Sequence, residues 1–116
     1  MPTLTIGIPA HNEAKNIGQL LTQLLSQYYR NIKLQRIIIY SDGSKDKTTS
    51  IAKNIKNKNV KIIDNKIRKG ISHALNQIII YTKSDILLLL DADISITDSD
   101  FINKITQPII KKYADL

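Results

Sequence analysis

Ile86-Leu87-Leu88-Leu89-Leu90-Asp91-Ala92-Asp93 is the stretch that decides the fold. An apolar run of this length, led in by Lys83-Ser84-Asp85, reads as a strand covered on both faces, as in a parallel sheet whose crossover helices hide it from water. The two carboxylates then stand at the carboxyl end of that strand. Open α/β sheets take their ligands in the crevice outside those ends. Oxygen ligands there suit a hard cation, Mg2+ or Mn2+, which accepts one or two protein carboxylates and completes its shell with water and phosphate oxygens. The competing reading is an ordinary turn that Asp91 starts and Asp93 caps, because turns favour Asp for reasons of their own.

Working outward, β-branched and alternating apolar residues mark further strands at Leu4 to Pro9, Leu34 to Tyr40 and Val60 to Ile63. Helical patterns fall between them. Ile17, Leu20, Leu21, Leu24 and Leu25 recur at the spacing of an amphipathic helix from Asn16 to about Gln27. Asp46 is placed to cap a second helix through Ile51, Ala52 and Ile55, Gly70 opens a third through Ala74, Leu75, Ile78 and Ile79, and a fourth starts near Asp98 or Ser99. Strict alternation of strand and helix predicts an α/β fold: a parallel sheet of right-handed crossovers with helices on both faces.

The chain has 116 residues, one domain's worth, with no repeat and no Gly/Ser linker; residues 1–116 are expected to form a single domain. It contains no Cys, which excludes disulfides, Cys-ligated zinc and a cysteine nucleophile. No apolar run reaches the roughly 20 residues that span a bilayer, and Met1-Pro2-Thr3-Leu4 lacks the order of a signal peptide. The expected setting is cytoplasmic, or peripheral at the cytoplasmic face of a membrane. Seventeen Lys and Arg against ten Asp and Glu give +7, which suits an anionic partner. The lysines from Lys53 to Lys66 lack interleaved aromatics, so a stacking platform is not supported and no nucleic-acid partner is expected.

Three more segments reach the same rim. Ile8-Pro9-Ala10-His11-Asn12-Glu13 ends the first strand where Pro9 offers no backbone donor, and the turn exposes His11, Asn12 and Glu13 at the mouth of the crevice. Those side chains can bond a nucleobase or ribose, or Asn12 and Glu13 can simply cap the helix that follows. Ser41-Asp42-Gly43-Ser44-Lys45-Asp46 follows Tyr40 and projects Asp42 into the rim, either to accept from a base N–H or as an ordinary Asp-Gly turn. Lys66, Arg68 and Lys69 ahead of Gly70 make a cationic approach to a helix N-terminus, which is either a diphosphate site or a solvated basic cluster.

Together these segments resemble the inverting nucleotide-sugar glycosyltransferases of family 2, whose Rossmann-like fold is called GT-A. Ile8 to Glu13 looks like that family's opening motif and Asp42-Gly43-Ser44 with Asp46 its second. Arg68-Lys69-Gly70 with Ala74-Leu75-Asn76 looks like its third, and Asp91-Ala92-Asp93 its metal motif. The nearest resemblance is to the polyprenyl- and dolichyl-phosphate sugar synthases. It implies a UDP- or GDP-linked sugar as donor and a lipid phosphate among the candidate acceptors. Pro9, Ala10, His11, Glu13, Tyr40, Asp42, Lys69, Asp91 and Ala92 would bind the donor, and Asp91 and Asp93 would hold Mg2+ or Mn2+.

The chain departs from the family pattern at His11, where Tyr is usual, at Ser41, where a first Asp is usual, and at Ser95, where lipid-linked members often carry Gln. Family members also run further, to an acceptor region and the carboxylate that acts as general base, so a truncated, donor-binding part is expected, with the base beyond Leu116. Asp98 and Asp100 are the acidic alternatives, but they sit where a helix cap would. Two rivals are a nucleotide-sugar-binding module without transfer and a nucleotidyltransferase. The latter usually carries a Gly-rich basic loop where this chain has Ala10-His11-Asn12-Glu13. An apolar fourth helix through Phe101, Ile102, Ile105, Ile109 and Ile110 is expected to leave surface for a homo-oligomer.

Overall fold

The computed structural model describes residues 1–114. Strands β1 (Thr3–Ala10), β2 (Lys33–Asp42), β3 (Val60–Asn65) and β4 (Ile86–Leu89) alternate with helices α1 (Ile17–Leu25), α2 (Thr48–Asn54), α3 (Ile71–Tyr81) and α4 (Phe101–Ala114). The strands form one sheet in the order β3-β2-β1-β4, and every pairing is parallel. Among the described residues no helix is long and apolar enough to cross a membrane.

Strand order and crossover handedness decide where the helices go. The chain steps from β1 to β2 to β3 in one direction and then crosses back past β1 to β4. Right-handed crossovers therefore put α1 and α2 on one face and α3 on the other. Side-chain alternation agrees. Leu4, Ile6, Ile8, Ile37 and Ile39 pack with Leu20, Leu21, Leu24, Ala52 and Ile102 of α1, α2 and α4, whereas Ile38 and Tyr40 pack with Ala74 and Ile78 of α3. Gly7 makes the second contact possible: a Cβ there would lie 2.5 Å from Ile78 Cγ2 and 3.0 Å from Leu89 Cδ2.

One expectation is corrected. The run from Ile86 is not covered on both faces, because β4 is an edge strand and only α3 lies on its second face. Ile86, Leu87 and Leu88 are half-buried and Leu89 is 42% exposed. The fourth helix begins at Phe101, after a turn in which Asp100 N–H donates to Asp98 Oδ1, and its Ile102 is fully buried. Markedly exposed apolar side chains are found on α3, at Ile71, Ile79 and Ile80, while on α4 Ile109 is the one such side chain among the described residues.

Candidate functional site

The carboxyl ends of the strands meet at one rim. On the α3 face of that rim, Pro9, Ala10, His11 and Glu13 from β1, Asp42 from β2, Arg68 from the β3–α3 loop and Ile71 and Ala74 from α3 enclose a cavity of about 230 Å³. Asp42 organises it. The carboxylate is 5% exposed, and its two oxygens accept from Lys69 N–H at 2.8 Å and Gly70 N–H at 2.9 Å, so the β2 end holds the start of α3 in place. Gly43, at φ 65°, allows the β3–α3 loop to come that close: its own N–H donates to Asn65 O at 2.7 Å, and a Cβ on it would overlap Arg68 N at 2.5 Å. His11 Nδ1 lies 2.7 Å from Asp42 O. A carbonyl only accepts, so Nδ1 carries the proton and Nε2 offers a lone pair, which takes Asn12 Nδ2–H at 3.3 Å.

The turn after β1 is held from the other face of the sheet. Successive N–H groups of Asn12, Glu13 and Ala14 donate to Ser44 Oγ, Thr48 Oγ1 and Asp46 Oδ2. Asn12, in the left-handed region at φ 54°, also accepts Lys45 N–H on its Oδ1 at 2.8 Å. Asn16 Nδ2 donates to Glu13 Oε2 at 3.0 Å, while Glu13 O takes the N–H of Asn16 and Ile17, so Glu13 serves the helix start and the cavity wall at once. The Thr48 hydroxyl and the N–H groups of Thr48 and Ala14 hold the Asp46 carboxyl below the usual carboxylate range. A depressed folded-state pKa contributes stability that is present above the unfolded value and lost as pH falls through the folded one. Asp46→Asn is therefore expected to flatten the acid limb of the stability profile below about pH 4, measured by urea denaturation across pH. An unchanged limb would remove Asp46 from this role.

Of the residues named from sequence, Pro9, Ala10, His11, Glu13 and Asp42 converge on the cavity. Lys69 contributes a backbone N–H while its side chain is exposed, and Arg68 lines the wall instead. Tyr40 does not reach the cavity: it is 2% exposed beneath α3, its ring edge-on to His73 with centroids 6.0 Å apart, and burial raises its phenol pKa. Ala92 is buried, whereas Asp91 and Asp93 are exposed. They lie at the end of β4, which is tied to β1 by Leu90 N–H donating to Gly7 O at 3.0 Å, and they are not part of the cavity wall. Neither carboxylate has a hydrogen-bond or ion-pair partner among the described residues, and no third His, Cys, Asp or Glu joins them. Asp98 and Asp100 are engaged elsewhere, with Lys104 at 2.6 Å and Arg30 at 2.5 Å. Ile71 was not legible as a wall residue, since its only signal is its place directly after Gly70.

A parallel sheet with its cavity and its unpartnered carboxylates at the strand ends defines the α/β class whose ligands sit at that rim. Residues 5–116 match the model of glycosyl transferase family 2, and the chain belongs to that family. It is 33% identical over 100 residues to a 4,4'-diaponeurosporenoate glycosyltransferase of Staphylococcus aureus, covering 84% of this chain and 26% of that protein. The mannosyltransferase PcManGT of Pyrobaculum calidifontis, solved in complex with GDP-Man and Mn2+, superposes with a TM-score of 0.77 at 27% identity, covering 87% of this chain and 30% of that one. S. aureus TarS 1-349, in complex with UDP-GlcNAc, gives 0.80 at 21% identity over 94% of this chain and 31% of its own, a likeness of fold alone. The fold is GT-A-like, and the chain spans about a quarter to a third of the length of these relatives.

Proposed function

We propose that this chain is the donor-binding part of an inverting, metal-dependent glycosyltransferase that takes a UDP- or GDP-linked sugar. The observation that carries this reading is the cavity of His11, Glu13 and Asp42 at the end of β1 and β2, on the same strand-end rim as β4-end carboxylates that have no protein partner among the described residues. Pro9, Ala10, His11, Glu13 and Asp42 would enclose the nucleoside, with Tyr40 supporting the floor from below. Lys69, Asp91 and Ala92 would lie along the ribose and diphosphate. Asp91 and Asp93 fit Mg2+ or Mn2+, because these cations need only one or two carboxylates when substrate phosphate and water supply the remaining ligands. A cation held there would neutralise the leaving diphosphate. Arg68 adds fixed positive charge, and the α3 N-terminus, which has no side-chain cap, adds oriented N–H groups.

Inverting transfer needs a general base for the acceptor hydroxyl, and the expected base falls outside the described residues. Asp98 and Asp100 are tied up in ion pairs, which favours donor binding without transfer for this chain by itself. Calorimetric titration of UDP and GDP with Mn2+ and then with chelator tests the donor reading. Metal-dependent binding is expected, and equal affinity in both conditions would overturn the metal role. Asp93→Asn is expected to abolish that dependence with little change in melting temperature, since an exposed, unpartnered carboxylate contributes little to the fold and repulsion with Asp91 is relieved. A large loss of stability would support the turn reading. The exposed Ile71, Ile79, Ile80 and Leu89 lead us to expect self-association through α3 and β4. Light scattering that found a monodisperse monomer at high concentration would overturn it.

A further inference from the structure

We infer that the β3 edge of the sheet, together with the loop from Lys66 to Gly70 at its carboxyl end, is a docking surface for an anionic lipid bilayer. The charge of the chain is not spread over it. Between Lys45 and Lys69, nine Lys and Arg stand against two acids, Asp46 and Asp64, so this segment carries +7, the whole net charge of the protein. The eight basic and eight acidic residues elsewhere cancel. The segment folds as α2, β3 and their loops, and β3 is the outer strand of the order β3-β2-β1-β4. Each of the nine is exposed except Lys61, which is half-buried with its Nζ 4.8 Å from the centre of the Tyr81 ring. Of these nine, Lys66 alone forms an ion pair among the described residues, with Asp64 at 2.7 Å.

Protection of an edge strand accounts for Lys61, which sits on β3 and keeps that edge from pairing. Lys53, Lys56 and Lys58 before the strand, and Arg68 and Lys69 beyond it, guard no edge. Ile67 points to the partner. It is 71% exposed and stands within Lys66-Ile67-Arg68-Lys69. An apolar side chain held out among cations gains nothing from the fold, but at a headgroup layer it enters the acyl boundary while its neighbours meet phosphate. Six residues of β3 span about 20 Å, so cations at both ends of the strand can rest on one plane of headgroups. A nucleic acid would use the same charge but has no place for an aliphatic tip, and the segment contains no aromatic residue on which bases would stack. Arg68 also lines the cavity at the rim, so docking sets that cavity beside the lipid surface. The inference needs no nucleotide and stands apart from the donor-binding reading.

Cosedimentation of the 116-residue chain with vesicles of phosphatidylcholine and phosphatidylglycerol, about two to one, tests this against vesicles of phosphatidylcholine alone. Binding is expected to the anionic vesicles only, and it should weaken about tenfold between roughly 0.1 M and 0.5 M salt. Lys53→Glu with Lys56→Glu should lower it by about tenfold or more. Lys111→Glu with Lys112→Glu, the same change of net charge in the last turn of α4, should lower it less than about threefold. Equal losses in the two pairs would reduce the effect to net charge and overturn the proposal. The chain contains no Trp, so Ile67→Trp reports its own surroundings. Its emission should shift to the blue on the anionic vesicles, and Ile67→Ser should bind them about fivefold more weakly. No binding to the anionic vesicles, or binding with the Ile67→Trp emission unchanged, overturns the proposal. Tighter binding to polyuridylate than to those vesicles would assign the surface to nucleic acid and overturn it as well.

Discussion

Gly43→Ala is expected to cost about 2–5 kcal/mol of stability and to remove nucleotide affinity with it. Two penalties act at one atom. Gly43 sits at φ 65°, where an L side chain costs roughly 1–2 kcal/mol. Its added Cβ would also lie 2.5 Å from Arg68 N and 2.8 Å from Arg68 Cα, backbone atoms with no rotamer to turn away. The β3–α3 loop must shift, and overpacking of this kind costs about 1–3 kcal/mol more. That shift carries Lys69 and Gly70 away from the Asp42 oxygens, so the cavity wall loses its anchor. Chemical denaturation measures the first effect, and amide hydrogen exchange at Lys69 and Gly70 measures the second. A variant that keeps both amides protected would show that the loop is held by something other than the Asp42 carboxylate.

The alternation of strands and helices was legible because each element carries its own periodicity, and the structure differs mainly at the ends, as at Phe101. Exposure along β4 was not legible. The composition of Ile86 to Leu90 is the same for a central strand as for an edge strand, and only the order β3-β2-β1-β4 distinguishes them. Tyr40 shows a related limit. The family resemblance named it among the donor-binding residues, but period-two alternation sends Tyr40 and Asp42 to the same sheet face at different heights, and α3 covers the lower one. The segments at the rim were legible as turn and cap chemistry, and the structure shows both uses at once: Glu13 holds the start of α1 and lines the cavity. What no local pattern carries is register. Ser41 opposite Asp64, and Thr49 between them, come together only when β2 and β3 pair, so the hydrogen bonds of Thr49 with Ser41 and Asp64 are invisible until the sheet exists.

Asp42→Ala and Asp93→Asn should part cleanly, although each removes one carboxylate from the same rim. Asp42 is almost fully buried, and its loss strands the N–H groups of Lys69 and Gly70; at roughly 1–2 kcal/mol for each stranded donor, Asp42→Ala is expected to lose about 2–4 kcal/mol. For a chain of this size that corresponds to a fall in melting temperature of roughly 10–25 °C. Nucleotide affinity should go too, with or without Mn2+, because Asp42 lines the cavity proposed for the nucleotide and also fixes the loop beside it. Asp42→Asn should lie between parent and Ala: one amide oxygen still accepts, while the NH2 group meets the second backbone donor and repels it. Asp93, exposed and unpartnered, should lose only the metal-dependent part of binding and none of the stability. Equal melting temperatures for the parent and Asp42→Ala would mean that α3 is held to the sheet by Ala74 and Ile78 alone, and the place of Asp42 would then reduce to its contact with the ligand.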